Sequence, residues 1–334
     1  MKRFDPMTPG RLRRLQEEFE EEVPEVAAGL RDSPGVWEEL SYALHPPIHE
    51  GRVATFGVMI DADSDPEAWT EGTGLQVHYR MARSLSNAAT RRFADGISSW
   101  VIRSGECETS DSKPGGAKTE LVVFDRPAAS ERDLVVIAET AGAVIVQRHP
   151  SGVVRLVGSF GVVRATPGGW QHQPPVGRWL DAVRLSSTPS QRKVLWRLLR
   201  FAVHDLGSRR IGAILIHHLD EPDPARYEAR LPSPPALDVR QAVNLAPLQH
   251  VLSQLDGATL FDSEGTLLAL GVRLVPTRQA EEAVPPIGGT RHTNARRYSH
   301  DAPGSVVIAV SEDGPVTVFG KGEILGRSED GEAV

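Results

Sequence analysis

The sequence predicts an α/β protein in two parts. The carboxy-terminal domain has a mixed central sheet flanked by helices, and a separate strand-rich α+β domain precedes it. Two patterns carry this reading. Between residues 120 and 170, short β-branched runs such as VVRLVGSFGVVRAT alternate with glycine turns, as strands joined by tight connections do. From residue 189 onward, apolar residues at helical spacing alternate with short apolar runs, which reads as helices packed on a sheet. With 334 residues, 40 % of them apolar, the chain is long enough for two cores. The boundary is placed near Gly177, giving an amino-terminal domain at 1–177 and a carboxy-terminal domain at 178–330.

Bulk properties exclude several classes. The single cysteine, Cys107, rules out an internal disulfide and a four-cysteine zinc site. A formal charge of -7 argues against a nonspecific grip on nucleic acid and leaves room for a local anion pocket. No apolar run reaches the roughly 18 residues of a spanning helix, so no membrane partner is expected. The start, MKRFDPMTPGRLRR, has no apolar run behind its basic residues, and a cytoplasmic protein is expected.

Thr8-Pro9 ahead of GRLRRLQEEFEEE reads as a cap, a first-turn proline and a helix. Leu12, Leu15 and Phe19 form its thin apolar stripe, and its charge run reads as a solvated face. A second helix is expected at 36–44, stopped by Pro46-Pro47. Strands are expected at 53–60 and 76–81, with helix over 84–96. The acidic DADSD stretch between the two strands lacks the glycine and distal glutamate of a twelve-residue calcium loop, so it reads as a surface turn. Residues 105–118 read as a polar loop. Three strand-like bursts follow, at 120–124, 133–138 and 143–147. Trp170 and Trp179 bracket a proline-containing connector and are expected to close the junction between domains.

In the second half, residues 191–206 carry Val194, Leu195, Leu198, Leu199, Ala202 and Val203 at helical spacing, with Gly207 as the expected stop. A buried strand is expected at 211–216 and a helix at 245–255, with Pro247 near its first turn. Strands at 259–261 and 267–270 flank an Asp262-Ser263-Glu264-Gly265 turn. A final pair of strands is expected at 306–310 and 316–319.

Chemistry concentrates between 255 and 319. Asp256 stands where a helix passes into a strand, and Gly257 and Ala258 are small enough for a bulky ligand to approach the backbone. Gly288-Gly289 permits another close approach. Thr290, Arg291 and His292 then offer hydroxyl, guanidinium and imidazole donors suited to phosphate oxygens. A helix opening near 294–299 would favour an anion at its amino end. Glu312, in the last turn, could hold a divalent cation with Asp256 against a polyphosphate. Together these groups point to a nucleotide.

Four ordered segments carry a family resemblance: RRIGAILI at 209–216, LDGATLFDSEGTLLALGVRLVP at 255–276, GGTRHTNARRYSH at 288–300, and VSEDGPVTVF at 310–319. Over about 189–327 the chain resembles the diadenylate cyclase domain of the DNA integrity scanning protein and of membrane-associated cyclic di-AMP synthases. That resemblance implies condensation of two ATP into cyclic di-AMP with release of two pyrophosphates. It implies Mg²⁺ or Mn²⁺, and a homo-oligomer with facing cyclase domains, each holding one ATP. Asp256 would position metal and attacking hydroxyl, and Gly257 and Ala258 would border the nucleoside. Gly289, Thr290, Arg291 and His292 would hold phosphates, and Glu312, with Ser311 beside it, would complete the metal site. Thr293 stands where the family has a second arginine. It offers a hydroxyl but no charge, and Arg296 or Arg297, about a helical turn later, are the expected substitutes. The alternative to an active cyclase is a non-catalytic nucleotide-binding sensor on the same fold. Residues 1–177 carry no such resemblance; they are expected to regulate the cyclase by binding an unidentified ligand.

Overall fold

Two separate sheets organise the chain, one of eight strands and one of seven. The computed structural model describes residues 8–49, 52–60, 62, 69, 74–82, 91–103, 119–128, 130–183 and 187–328. The chain divides into two units, Met1–Pro175 and Val176–Val334. Among the described residues no helix is long and apolar enough to cross a membrane.

The first unit opens with α1 (Pro9–Glu22), α2 (Pro24–Gly29) and α3 (Pro34–Leu44). Each has a proline in its first turn, where a missing N–H costs nothing; Pro24 makes α2, which the charge pattern conceals, a separate helix. A ribbon of β1 (Ile48–His49) and β2 (Arg52–Val53) follows. Then come β3 (Phe56–Ile60), β4 (Val77–Ala82), β5 (Ser99–Arg103) and β6 (Thr119–Phe124). Helix α4 (Glu131–Ala141) precedes β7 (Val144–Arg148), β8 (Val154–Gly158), β9 (Gly161–Thr166) and β10 (Gly169–Gln173). The sheet order is β10-β9-β8-β7-β3-β5-β6-β4, with β3 and β5 parallel.

Both faces of this sheet are covered, and the pleat sorts the side chains between them. Val58, Val146 and Val163 join Phe19 and Trp37 of α1 and α3. Met59, Ile145 and Val162 join Leu134 and Ile137 of α4. Glu39, buried on α3, accepts two hydrogen bonds from Arg91, both 2.8 Å, and one of 2.6 Å from Arg103. A buried carboxylate is tolerated when it is matched in this way.

The expected strand at 133–138 is instead the middle of α4. Ser130 caps the helix by accepting from the Asp133 N–H, and Gly142 ends it at φ 64. These end signals and a buried stripe of Leu134, Ile137, Ala138 and Ala141 outweigh the β-branched composition. Arg91–Phe93 form one 3-10 turn; the rest of the expected helix over 84–96 is either outside the described residues or non-helical. Most of the acidic 61–69 stretch, the 105–118 loop and Cys107 also lie outside them.

The second unit contains α5 (Gly177–Ala182), α6 (Pro189–Arg200), β11 (Ala213–His218), β12 (Tyr227–Glu228) and α7 (Ala242–Leu252). After these come β13 (Ala258–Phe261), β14 (Leu267–Leu274), α8 (Arg278–Ala283) and α9 (Thr290–Asp301). It ends with β15 (Ser305–Val310), β16 (Val316–Gly320) and β17 (Glu323–Arg327). The sheet order is β12-β14-β13-β11-β15-β16-β17, mixed because β11 and β13 are parallel while β11 and β15 are antiparallel. Leu215, Ile308 and Val318 face Leu198 and Leu199 of α6 and Leu248 of α7. Ile216, Val307 and Phe319 face Ala295 and Tyr298 of α9. The α/β fold with a helix-flanked mixed sheet is thus as expected.

The boundaries of three helices differ from expectation. Thr188 and Gln191 form a reciprocal cap at the start of α6, but the helix does not stop at Gly207. It passes through a π turn, Phe201–Leu206, and a 3-10 turn, Gly207–Arg209. Gly207 has φ -60; it is small because a methyl group there would lie 2.7 Å from the Gly314 carbonyl oxygen. Helix α7 starts at Ala242, so Pro247 lies inside it. Helix α9 starts at Thr290, one turn before the expected opening.

Strand β11 ends in two buried histidines. His217 donates from Nε2 to the Ser263 carbonyl at 3.4 Å, and the Tyr298 hydroxyl donates to His218 Nε2 at 3.2 Å. Burial pushes each imidazole down to about 4, with the neighbouring ring adding to the effect at His218. The unfolded chain, near 6.5, therefore takes up these protons first as the pH falls. This contribution to stability is full above about pH 6.5 and is lost towards pH 4, by up to about 1.4 kcal/mol per pH unit for each ring. Urea unfolding of the second unit, followed through Trp179 and Trp196 after removal of the other tryptophans, should show a lower midpoint at pH 5 than at pH 7. An unchanged midpoint would contradict two neutral buried rings.

Candidate functional site

Strand register assembles the site. Parallel pairing sets Ile214 beside Ala258, so Asp256 precedes β13 as Gly212 precedes β11. Antiparallel pairing sets Ala213 beside Val310, so the chain leaving β15 passes Gly212 as Ser311 and Glu312. Helix α9 delivers Arg291 to the same place. Its guanidinium pairs with Glu312 at 3.2 Å, with the arginine 29 % and the glutamate 74 % exposed. A methyl group on Gly212 would collide with that guanidinium and lie 2.8 Å from Glu312 Cγ. Glycine leaves room there for the guanidinium in its present place.

A cavity of about 420 Å³ brings Asp256, Arg291 and Glu312 together with Arg210 and Gly212. Arg210 escaped the sequence reading. It occupies the left-handed region, φ 58 and ψ 38, at the end of the turn before β11. Glycine or asparagine is the usual occupant of such a cap. The signal available in the sequence was a basic pair, Arg209-Arg210, where a helix should end in glycine.

A second cavity, of about 490 Å³, borders the same two segments. Gly288, Gly289, His292, Ser311 and Phe319 line it, along with Arg327. The His292 ring stands edge-on to Phe319, with centroids 6.2 Å apart at 78°. Consecutive residues therefore serve different cavities: Arg291 and Glu312 one, His292 and Ser311 the other. The expected site residues do not all converge. Thr290 is exposed on the first turn of α9 and lines neither cavity. Ala258 is buried in the core beneath α9. Gly257, at φ +106, backs against Gly271.

Thr293 faces away from both cavities. Its hydroxyl donates to the Ile287 carbonyl at 3.1 Å and accepts from the Ile287 N–H at 3.2 Å. It fastens the Gly288-Gly289 approach to the helix. The expected substitutes are also committed elsewhere: Arg296 donates to the Gly322 carbonyl at 2.7 Å, and Arg297 to the Val284 carbonyl at 3.3 Å. Neither lines a cavity described above.

Residues 200–324 match the family model described as DisA bacterial checkpoint controller nucleotide-binding. That match lies within the second unit. Residues 13–174 match a different model, described as probable sensor domain DACNK. Among solved structures, the chain is similar to a hypothetical membrane spanning protein from Bacillus cereus. That match has 19 % identity and a TM-score of 0.31, covering 40 % of this chain and 70 % of that one. It is also similar to a double mutant of DacA from Staphylococcus aureus, with 20 % identity and a TM-score of 0.29, over 43 % of this chain and 91 % of that one. No curated protein matches.

The family implies a divalent metal. Among the described residues, no group of three or more His, Cys, Asp or Glu could hold one. Two exposed carboxylates, Asp256 and Glu312, do share a cavity. Magnesium commonly takes one or two carboxylates and completes its shell with phosphate and water, so this donor set fits a metal that arrives with a nucleotide.

Gly212→Ala tests the close approach directly. The variant should fold, because φ at residue 212 suits alanine as well as glycine, while the guanidinium must leave its place. A crystal structure should show the Arg291–Glu312 separation beyond 4 Å; an unmoved pair would refute the packing argument.

Proposed function

We propose that the second unit is a diadenylate cyclase that condenses two ATP into cyclic di-AMP and releases two pyrophosphates. The observation that supports this most is the register-driven grouping of Asp256, Arg291 and Glu312 in one cavity, within the segment that matches the family. In the reaction, each 3′-oxygen bonds to the other nucleotide's α-phosphorus, and the bond from that phosphorus to pyrophosphate breaks. Asp256 orients the attacking hydroxyl. Arg291 exchanges a partly exposed glutamate partner for phosphate oxygens, a small cost because exposed pairs contribute little. Glu312 and Asp256 would then be free to hold Mg²⁺ or Mn²⁺, which when bound offsets charge growing on the attacked phosphate. His292, Ser311 and Gly289 contact the nucleotide from the second cavity, whereas Gly257, Ala258 and Thr290, which line neither cavity, have no direct part in it. Each chain holds one such set, so two copies face each other and turn a collision into a positioned step.

Arg210 takes the role of the missing second arginine. It reaches the cavity from the start of β11, whereas Thr293, Arg296 and Arg297 are engaged elsewhere. A non-catalytic nucleotide sensor is the second reading, favoured by the uncharged Thr293. Purified protein incubated with ATP and Mg²⁺ or Mn²⁺, with products weighed by mass spectrometry, separates the two. Cyclic di-AMP supports the cyclase; saturable binding of a nonhydrolysable ATP analogue without product selects the sensor; neither result removes both. If the cyclase reading holds, Asp256→Asn should lower turnover by about 10²-fold or more without unfolding the protein.

Arg210→Gly should separate function from stability. Glycine suits the left-handed cap, so the melting temperature should stay level or rise. Loss of a charged hydrogen bond should weaken ATP-analogue binding by about tenfold or more. Unchanged binding would remove Arg210 from the site while leaving the cyclase proposal standing.

A further inference from the structure

We infer a second ligand site, in the first unit: a cavity of about 520 Å³ that takes a small organic anion with a flat apolar body. Arg11 and Arg14 of α1, His45 at the end of α3, and Thr166 and Trp170 of the β9–β10 hairpin line it. Three elements distant in sequence thus supply its walls, and its volume falls within the range of about 300–1,000 Å³ typical of small-molecule sites.

The charge pattern of α1 is the independent observation. Arg11, Arg13 and Arg14 lie at its amino end, and Glu17, Glu18, Glu20, Glu21 and Glu22 at its carboxy end. A helix favours the opposite arrangement, and no side chain caps its amino end. At the carboxy end the compensation is visible. Glu22 accepts from the Trp170 backbone N–H at 2.6 Å, and Glu18 from the Trp170 indole at 2.9 Å. At the amino end Arg13 reaches Glu17 at 3.5 Å, and Arg11 and Arg14 line the cavity. Among the described residues Arg14 has no ion-pair partner. An anion in this cavity would meet the positive charge that Arg14 brings to its wall.

The remaining lining sets the ligand's other half. Leu15, Leu44 and Ala165 are apolar, and Trp170 lies at the cavity wall with 8 % of its surface exposed. Two arginines stand against one glutamate, Glu18, whose carboxylate already receives the indole N–H. Guanidinium groups beside a hydrophobic wall select an anionic head on a flat apolar body. The argument is independent of the chemistry proposed for the second unit.

Phenyl phosphate is the probe, titrated into the full chain by calorimetry. Saturable binding at one such site is expected. Inorganic phosphate, without the ring, and benzyl alcohol, without the charge, should each bind about tenfold more weakly or worse. Arg14→Glu puts another good helix former at an exposed position, so the melting temperature should change little, and binding should be abolished. The Arg11→Ala, Arg14→Ala double variant should likewise lose it, and Arg291→Ala should bind as the parent does. Absent binding, binding that survives Arg14→Glu, equal affinity for inorganic phosphate, or loss in Arg291→Ala would each overturn the proposal.

Discussion

The register of β11 against its two neighbours is the constraint on which the second unit's chemistry depends. One neighbour runs parallel and the other antiparallel, so the segment entering β13 and the segment leaving β15 meet at the same end of β11. A shift of one residue would turn each side chain to the opposite face. Burial of all six residues of β11 prevents that shift, because both faces are committed to helices. The acidic residues are therefore placed by apolar packing several residues away from them.

Helix α9 adds the cationic half and divides it. Successive residues on a helix point about 100° apart, so Arg291 and His292 serve different cavities that border the segment after β15. Thr293 turns further round and ties the preceding loop to the helix. Arg210 lines the same cavity as Asp256 and Arg291, in a backbone conformation that most side chains avoid.

Much of the fold was legible because periodicity and end signals agreed. The apolar spacing after Pro189 marked α6, and the Asp262–Gly265 turn marked the β13–β14 hairpin. Reading failed where two signals conflicted. Residues 133–138 have strand composition, but Ser130 and Gly142 are helix ends. Gly207 looks like a helix stop, yet its smallness serves a contact with Gly314, more than a hundred residues later. For the candidate site, Asp256, Arg291 and Glu312 were legible as residue types, and the structure groups them. That His292 and Ser311 belong to a neighbouring cavity, and that Arg296 and Arg297 bind carbonyls, depends on tertiary placement that spacing does not encode. Arg210 was missed because an arginine in a glycine position resembles ordinary surface charge.

The edges of the seven-stranded sheet carry a consequence for assembly. One edge, β12, is two residues long. The other, β17, carries Glu323 and Arg327 and pairs with β16 through a register shift. Short, charged or bulged borders resist strand addition, so the sheet offers poor templates for continuing into another molecule. For the proposed facing pair, helical faces and loop ends are therefore better suited to make the contact than these two edges.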